Sequence, residues 1–283
     1  MSEFRGEGLR AILKRRGLYL RRELGQNFLT DEGLADRLAA LAGVGPDDLV
    51  IEIGTGLGVL TRALARRARR VVSIEIDSGL VAALREESLL PEGVELIHAD
   101  ALRLDLGELV RDQATPVRVV ANLPYSAATP LLRRLLDFRG ELADWSVMLQ
   151  REVAARIVAP TGSRDYGSLA VLHHLTVDAQ VQKELAPGCF FPAPDVHSSF
   201  LRVWPRRTPL LEPGELDRVE SVVRAVFAQR RKTVINSLRA GSGLAGGDRA
   251  ALLAALVGAG IDPQDRAERI EPGRLLALAR ALA

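Results

Sequence analysis

A single cysteine, Cys189, in 283 residues rules out an internal disulfide and leaves no C-x-x-C spacing for zinc or redox chemistry. No apolar run approaches the roughly 20 residues that span a bilayer, so a membrane protein is not expected. The start, MSEFRGEGLRAILKRRG, lacks the continuous apolar stretch of a secretory signal, and the expected location is the cytoplasm. With 47% hydrophobic and 26% charged residues, extended disorder is excluded too. The length allows one ordinary domain and a smaller one. Only Lys14, Lys183 and Lys232 are lysine, every other basic residue being arginine, a bias that selects no function.

The net charge of +2 hides an uneven distribution. Residues 1–25 and residues 206–283 each carry a surplus of four positive charges, so the part between them is acidic. Basic ends suit contact with a polyanion, although composition alone favours a solvated charged surface.

Between residues 49 and 122, short apolar runs alternate with helical patterns, the signature of βαβ units and a parallel sheet. Strands are expected at 49–53, 71–76, 94–98, 117–123 and 145–150. After the first, Leu57, Leu60, Leu64, Ala65 and Ala68 recur at helical spacing, and Leu131, Leu132, Leu135 and Leu136 mark another helix over 128–138. Alternation at 175–182 and 198–204 predicts a closing pair of half-exposed strands, a terminal antiparallel hairpin. Pro205, Pro209 and Pro213 then punctuate the chain, after which all apolar spacing is helical, with Asp248 as an N-cap. The expected architecture is an α/β Rossmann-like domain over 1–205, with residues 1–25 as a basic arm, and a small all-α domain over 206–283. The glycine-rich run 241–247 reads as a loop.

Gly54, Gly56 and Gly58 lie where the first strand gives way to a helix, and glycines there let the backbone approach a ligand. Glu75 follows 21 positions after Gly54, at the end of the second strand, where a carboxylate can accept from both hydroxyls of a ribose. Both a dinucleotide and S-adenosylmethionine satisfy this pattern. Asp100, after the third strand, suits the exocyclic amine of an adenine or the capping of its own turn.

Asn122-Leu123-Pro124-Tyr125 follows the fourth strand and sets an amide, a backbone carbonyl and an aromatic ring at one edge of the sheet. An adenine N6 is a poor nucleophile because its lone pair conjugates into the ring. Two acceptors, the Asn122 side-chain oxygen and the Leu123 carbonyl, can hold its hydrogens and favour a tetrahedral nitrogen. Tyr125 can stack on the base, worth about 1–3 kcal/mol, once the adenine leaves its own stack. Catalysis would then rest on positioning, with no metal.

Phe190, held near Pro192 and Pro194, is a candidate for the other wall of a base sandwich, with Phe191 beside it. Arg230, Arg231 and Lys232 close the first amphipathic helix of the second domain and suit phosphate contact. His173 and His174 are adjacent and lack a nucleophilic serine or acidic partner in the sequence pattern, so a hydrolase triad is not expected.

Seven segments in order carry a family resemblance: GQNFL at 25–29, EIGTGLGVLT at 52–61, IEID at 74–77, HAD at 98–100, NLPY at 122–125, FFPAPDVHSS at 190–199 and FAQRRKTVINSL at 227–238. The chain resembles the adenine N6,N6-dimethyltransferases that modify small-subunit ribosomal RNA. The resemblance implies S-adenosylmethionine as cofactor and two neighbouring adenosines near the 3′ end of 16S ribosomal RNA, within an immature small subunit, as substrate. It also implies a monomer without a metal. Carried over by position, Asn27 and Leu29 meet the methionine end of the cofactor, Gly54 forms the turn beneath it, Glu75 meets ribose and Asp100 meets adenine, with Gln26, Gly56, Ile76 and Ala101 as further cofactor-binding candidates. Asn122 stands between cofactor and target amine, Tyr125 stacks on the target base, and Phe190 is the matching aromatic. Thr55 departs from the proline that relatives often carry, and the pair Phe190-Phe191 leaves open which ring faces the base.

Three other readings stay open on sequence alone. A macrolide-resistance methyltransferase of large-subunit RNA shares the NLPY-like motif, and FAQRRKTVINSL argues against it. A non-catalytic RNA-binding assembly factor on the same scaffold fits less well with an intact NLPY and Glu75. A nicotinamide-dependent oxidoreductase explains Gly54 and Glu75 but gives NLPY no purpose.

Overall fold

The structure, a computed structural model, describes residues 26–111, 113–212, 214–241 and 248–282. The expected basic arm over 1–25, and all but the first residue of the expected glycine-rich loop, lie outside the described residues. The chain divides into two compact units, one of residues 1–151 and 180–204, the other of residues 152–179 and 205–283.

The first unit is built on strands β2 (Leu49–Ile53), β3 (Arg70–Glu75), β4 (Val94–His98), β5 (Val117–Asn122) and β6 (Leu142–Gln150), all parallel, with β9 (Ser198–Pro205) antiparallel to β6. With β7 (Val177–Leu185) at the edge, the sheet order is β4-β3-β2-β5-β6-β9-β7. Every residue of β2 is buried, which is why LVIEI carries no polar alternation. Helices α1 (Glu32–Leu41), α2 (Val59–Ala65), α3 (Ser78–Glu86), α4 (Gly107–Val110) and α5 (Ala128–Asp137) connect the strands or precede them. Asp31 starts α1 by accepting the Leu34 amide at 2.8 Å, and Asp77 starts α3 by accepting those of Gly79 and Leu80. Leu131, Leu132, Leu135 and Leu136 form the buried side of α5, as their spacing predicts.

Two features of the secondary structure depart from the sequence expectations. The segment expected as strand from residue 175 is still helical through Thr176, because Ala170, Val171, Leu172 and Leu175 continue a buried helical face and the Thr176 hydroxyl bonds back to the Leu172 carbonyl at 2.6 Å. A second, two-stranded sheet pairs β1 (Phe28–Leu29) with β8 (Phe190–Phe191) in antiparallel register, Phe28 opposite Phe191 and Leu29 opposite Phe190. It ties together two of the sequence motifs across 160 residues of chain.

The second unit is helical: α7 (Ser168–Thr176), α8 (Leu216–Phe227), α9 (Val234–Gly241), α10 (Arg249–Gly258) and α11 (Pro272–Ala281). Helix α6 (Arg151–Ile157) leads into it. Residues 152–179 group with these helices, whereas the sequence places them with the sheet domain. Tyr166 explains the grouping: its hydroxyl donates to the Ile270 carbonyl at 2.9 Å and its ring meets Phe227 edge-on at 5.8 Å. Arg230 adds two bonds, to the carbonyls of Arg164 and Tyr166.

Candidate active site

The C-terminal ends of β2, β3, β4 and β5 open onto a cavity of about 200 Å³. It is lined on one side by Gly54, Gly56, Glu75, Ile76, Asp100 and Ala101, on the other by Asn122, Leu123 and Pro124, and across the top by Gln26 and Asn27.

The glycine turn leaves β2 with Gly54, Gly56 and Gly58 at φ of 87°, 57° and 75°, a region that side chains disfavour. At Gly56 a Cβ would also lie 2.8 Å from the Phe28 ring, so the ring occupies the space a side chain would need. Glu75 braces the turn. One carboxylate oxygen accepts the Gly56 amide at 2.9 Å, and the other accepts the amides of Ile76 at 3.0 Å and Asp77 at 2.9 Å. Burial raises the Glu75 pKa, against the opposing pull of the Asp77 and Gly56 amides. Those bonds use three of about four acceptor positions on a carboxylate, and the oxygen bonded to Gly56 keeps the open one.

Beneath the turn lies a hydroxyl network. Glu52 is fully buried and accepts from Thr61 at 2.6 Å and Ser73 at 2.5 Å, while the Thr55 and Ser73 hydroxyls share a bond of 2.6 Å. Burial pushes the Glu52 carboxyl up to about 8, despite the hydrogen bonds from Ser73 and Thr61 that lower it, so it is mostly protonated at neutral pH. Thr55, the departure noted in the motif, thus holds the turn with its side chain.

Asp100 caps its own turn by accepting the Leu102 amide at 2.9 Å, and it lines the cavity as well. The carbonyls of Leu102 and Leu104 both accept from the guanidinium of Arg134 on α5. One side chain therefore fastens the Asp100 loop to the helix whose first turn, with Ala127 and Leu131, forms another part of the wall.

Asn122 donates its side-chain NH₂ to the Asn27 carbonyl at 2.6 Å. A carbonyl can face only the nitrogen end of an amide, so this bond fixes which way the group points and presents Oδ1 on the other side. Leu123 continues the anchoring through its own amide, bonded to the Met148 carbonyl at 3.1 Å. Gln26 reaches the opposite bank, donating to Asp77 at 3.0 Å. Residues 26–28 thus touch both sides of the cavity.

Tyr125 is half-buried, and its hydroxyl is 2.7 Å from the Ser198 hydroxyl. Burial raises the phenol pKa above its usual 10, so the group is neutral. Leu29 and Phe190, expected at the site, lie in the hydrophobic core with Leu34 and Phe200 and outside the cavity lining. Their pairing across the two-stranded sheet turns both side chains inward. Phe191 is partly buried and packs on the cluster of Phe28, Leu57 and Leu80. In the helical unit, Arg230 is committed to backbone carbonyls, whereas Arg231 and Lys232 are exposed.

Phe28, although within GQNFL, and Arg134 are given no role by the sequence reading. Phe28 carries no polar signal, and Arg134 sits on the polar side of an amphipathic helix, where arginine normally marks solvent. Among the described residues no group of three or more His, Cys, Asp or Glu could hold a metal ion, and no helix is long and apolar enough to cross a membrane.

A sequence model of the family described as "Ribosomal RNA adenine dimethylase" matches residues 17–283. The chain belongs to that family. The small subunit methyltransferase A of Moorella thermoacetica is 39% identical over 279 residues, covering 96% of each chain. That of Shouchella clausii is 40% identical over 278 residues, covering 96% of this chain and 93% of its own. Among solved structures, the 23S rRNA methyltransferase ErmE is 30% identical with a TM-score of 0.63, covering 90% of this chain and 99% of its own. A dimethyladenosine transferase from Plasmodium falciparum is 22% identical with a TM-score of 0.73, covering 89% and 95%, a likeness of fold. Family membership selects the resemblance drawn from the seven motifs over the oxidoreductase reading, which the glycine turn and Glu75 had left open.

Proposed function

We propose that this family member transfers methyl groups from S-adenosylmethionine to N6 of two adjacent adenosines in the 3′-terminal hairpin of 16S ribosomal RNA, in the immature small subunit. The observation that carries the reading is the pinned amide of Asn122, which lines the cavity with Leu123 and Pro124, while a buried carboxylate, Glu75, lines it as well.

The residues fit the cofactor. Gly56 and Phe28 both line the cavity, and the missing Cβ of Gly56 leaves the room that the Phe28 ring fills. The open acceptor position on Glu75 suits a ribose hydroxyl, the exposed side chain of Ile76 offers an apolar face to adenine, and Asp100 stands where an exocyclic amine would donate. When bound, S-adenosylmethionine supplies an electrophilic methyl group on a sulfonium.

The rest is done by this chain. The Asn122 oxygen and the Leu123 carbonyl accept the two hydrogens of the target amine, which draws its lone pair out of conjugation and aims it into the cavity. Tyr125 stacks on the extruded base and fixes its plane. Orientation supplies the acceleration, and the methylated nitrogen is acidic enough to lose its proton to solvent without a dedicated base. Arg231 and Lys232, both exposed, suit phosphate contact.

Labelled S-adenosylmethionine offered to the protein with undermethylated small subunits, and separately with large subunits, tests the proposal. Dimethyladenosine confined to small-subunit RNA supports it. Label on the large subunit would move the activity to the resistance branch, and no label on either would leave a binding factor.

A further inference from the structure

Strand β6 lies between β5 and β9, and it brings together two segments 73 residues apart. Asn122 at the end of β5 pairs with Met148, Gln150 pairs with Ser198 at the start of β9, and the Arg151 amide closes the corner on the His197 carbonyl at 2.9 Å. Ser198 is 1% exposed, and its hydroxyl is 2.7 Å from that of Tyr125. Its neighbour Ser199 is fully buried as well, yet successive residues of a strand face opposite ways. The Ser199 hydroxyl accordingly bonds Glu184 at 2.9 Å and takes no part in the Tyr125 contact.

A tyrosine ring has two free torsions, and anchoring its hydroxyl removes most of their freedom. We propose that Ser198 is a positioning residue for methyl transfer, holding the Tyr125 ring by its hydroxyl in the plane on which the target adenine stacks. The inference rests on the proposed base-stacking role of Tyr125. It assigns to the end of the FFPAPDVHSS segment a task that neither of its phenylalanines performs in this structure. A ring free to swing would still accept a base, but in a spread of orientations, of which a fraction align the amine with Asn122. The loss therefore falls on the transfer step and leaves cofactor binding alone.

The test measures single-turnover methyl transfer to undermethylated small subunits, and cofactor affinity by calorimetry, for Ser198→Ala, Tyr125→Phe, the double variant, Ser199→Ala and Tyr125→Ala. Removing either end of the bond is expected to slow transfer about three- to tenfold, the net worth of one hydrogen bond, with cofactor affinity unchanged. The double variant should be no slower than either single one, because both delete the same bond. Ser199→Ala, which removes an adjacent buried hydroxyl, should keep its rate within about twofold. Should Ser198→Ala fail to fold, Tyr125→Phe breaks the same bond from the more exposed partner. A wild-type rate for Ser198→Ala or Tyr125→Phe, multiplied losses in the double variant, or an equal loss in Ser199→Ala would overturn the inference. Wild-type transfer by Tyr125→Ala would remove the base-stacking reading itself, and the inference with it. An inactive Tyr125→Ala beside an unaffected Ser198→Ala would overturn the inference alone.

Discussion

The two banks of the cavity are held by different kinds of contact. On the glycine-turn bank, Glu75 is fastened to Gly56, Ile76 and Asp77, and Glu52 to Thr61 and Ser73, partners no more than 21 residues apart. On the Asn122 bank the partner is Asn27, 95 residues away, and Tyr125, next to this bank but outside the cavity lining, is held by Ser198, 73 residues away. The glycine turn and Glu75 are thus braced largely within one βαβ unit, while Gln26, Phe28 and Arg134 add longer-range contacts to the same bank. The second bank is assembled only when the start of the described chain and the last strands of the sheet are in place. On the proposed reading, the brace of the glycine turn is mostly local and the aim of Asn122 is tertiary, so substitutions on the two banks should damage different steps.

Asn122→Ala should give the largest effect, a loss of about 10²- to 10³-fold in methyl transfer, the range for deleting one preorganised polar partner of a transition state. Cofactor affinity, measured by calorimetry, should stay within about threefold of wild type. A collapse of affinity in parallel would merge the banks into one functional unit.

Gly56→Ala tests the opposite bank. Its Cβ would stand 2.8 Å from the Phe28 ring on a backbone at φ of 57°, so the turn or the ring must shift and cofactor affinity should fall about tenfold. Transfer at saturating cofactor should fall much less. Arg134→Met should weaken cofactor binding by a smaller factor, about three- to tenfold, since two loop carbonyls lose their donor. Unchanged affinity would show that the Asp100 loop holds its shape without the guanidinium.

The smallest expected effect concerns the foundation of the glycine bank. The Glu52 carboxyl is raised from 4.5 to about 8 by burial. A pKa raised in the folded state contributes stability that is complete below the unfolded value and is lost as pH rises toward the folded value. The melting temperature should therefore fall as pH rises from 5 to 9, and Glu52→Gln, which mimics the protonated form, should flatten that slope. An identical slope in the variant would place the pH sensitivity elsewhere.

The same contrast decides what can be read from the sequence. The parallel strands, the glycine turn and the place of Glu75 follow from apolar periodicity and short spacing, and the structure has each of them. Asn122 and Tyr125 are recognisable as chemistry, but the bonds that aim them connect positions with no spacing rule between them. Leu29 and Phe190 illustrate the limit: motif membership suggested contact with ligands, and a two-residue antiparallel pairing put both into the core. Residues 175–176 show another, since LTVDAQVQ alternates from its first residue like a strand until the buried helical face that Leu175 continues is known.

The acceptor that orients Asn122 is a main-chain carbonyl, and this separates the identity of residue 27 from the path of the backbone through it. A saturation scan at position 27 reports only on the side chain and leaves the contact in every variant. The contact is instead reached by changing the peptide bond itself: an α-hydroxy acid at position 28, incorporated in place of Phe28 with the same side chain, turns the Asn27 carbonyl into an ester carbonyl. An ester is the weaker acceptor, so backbone chemistry would loosen the amide of Asn122 without altering a single side chain.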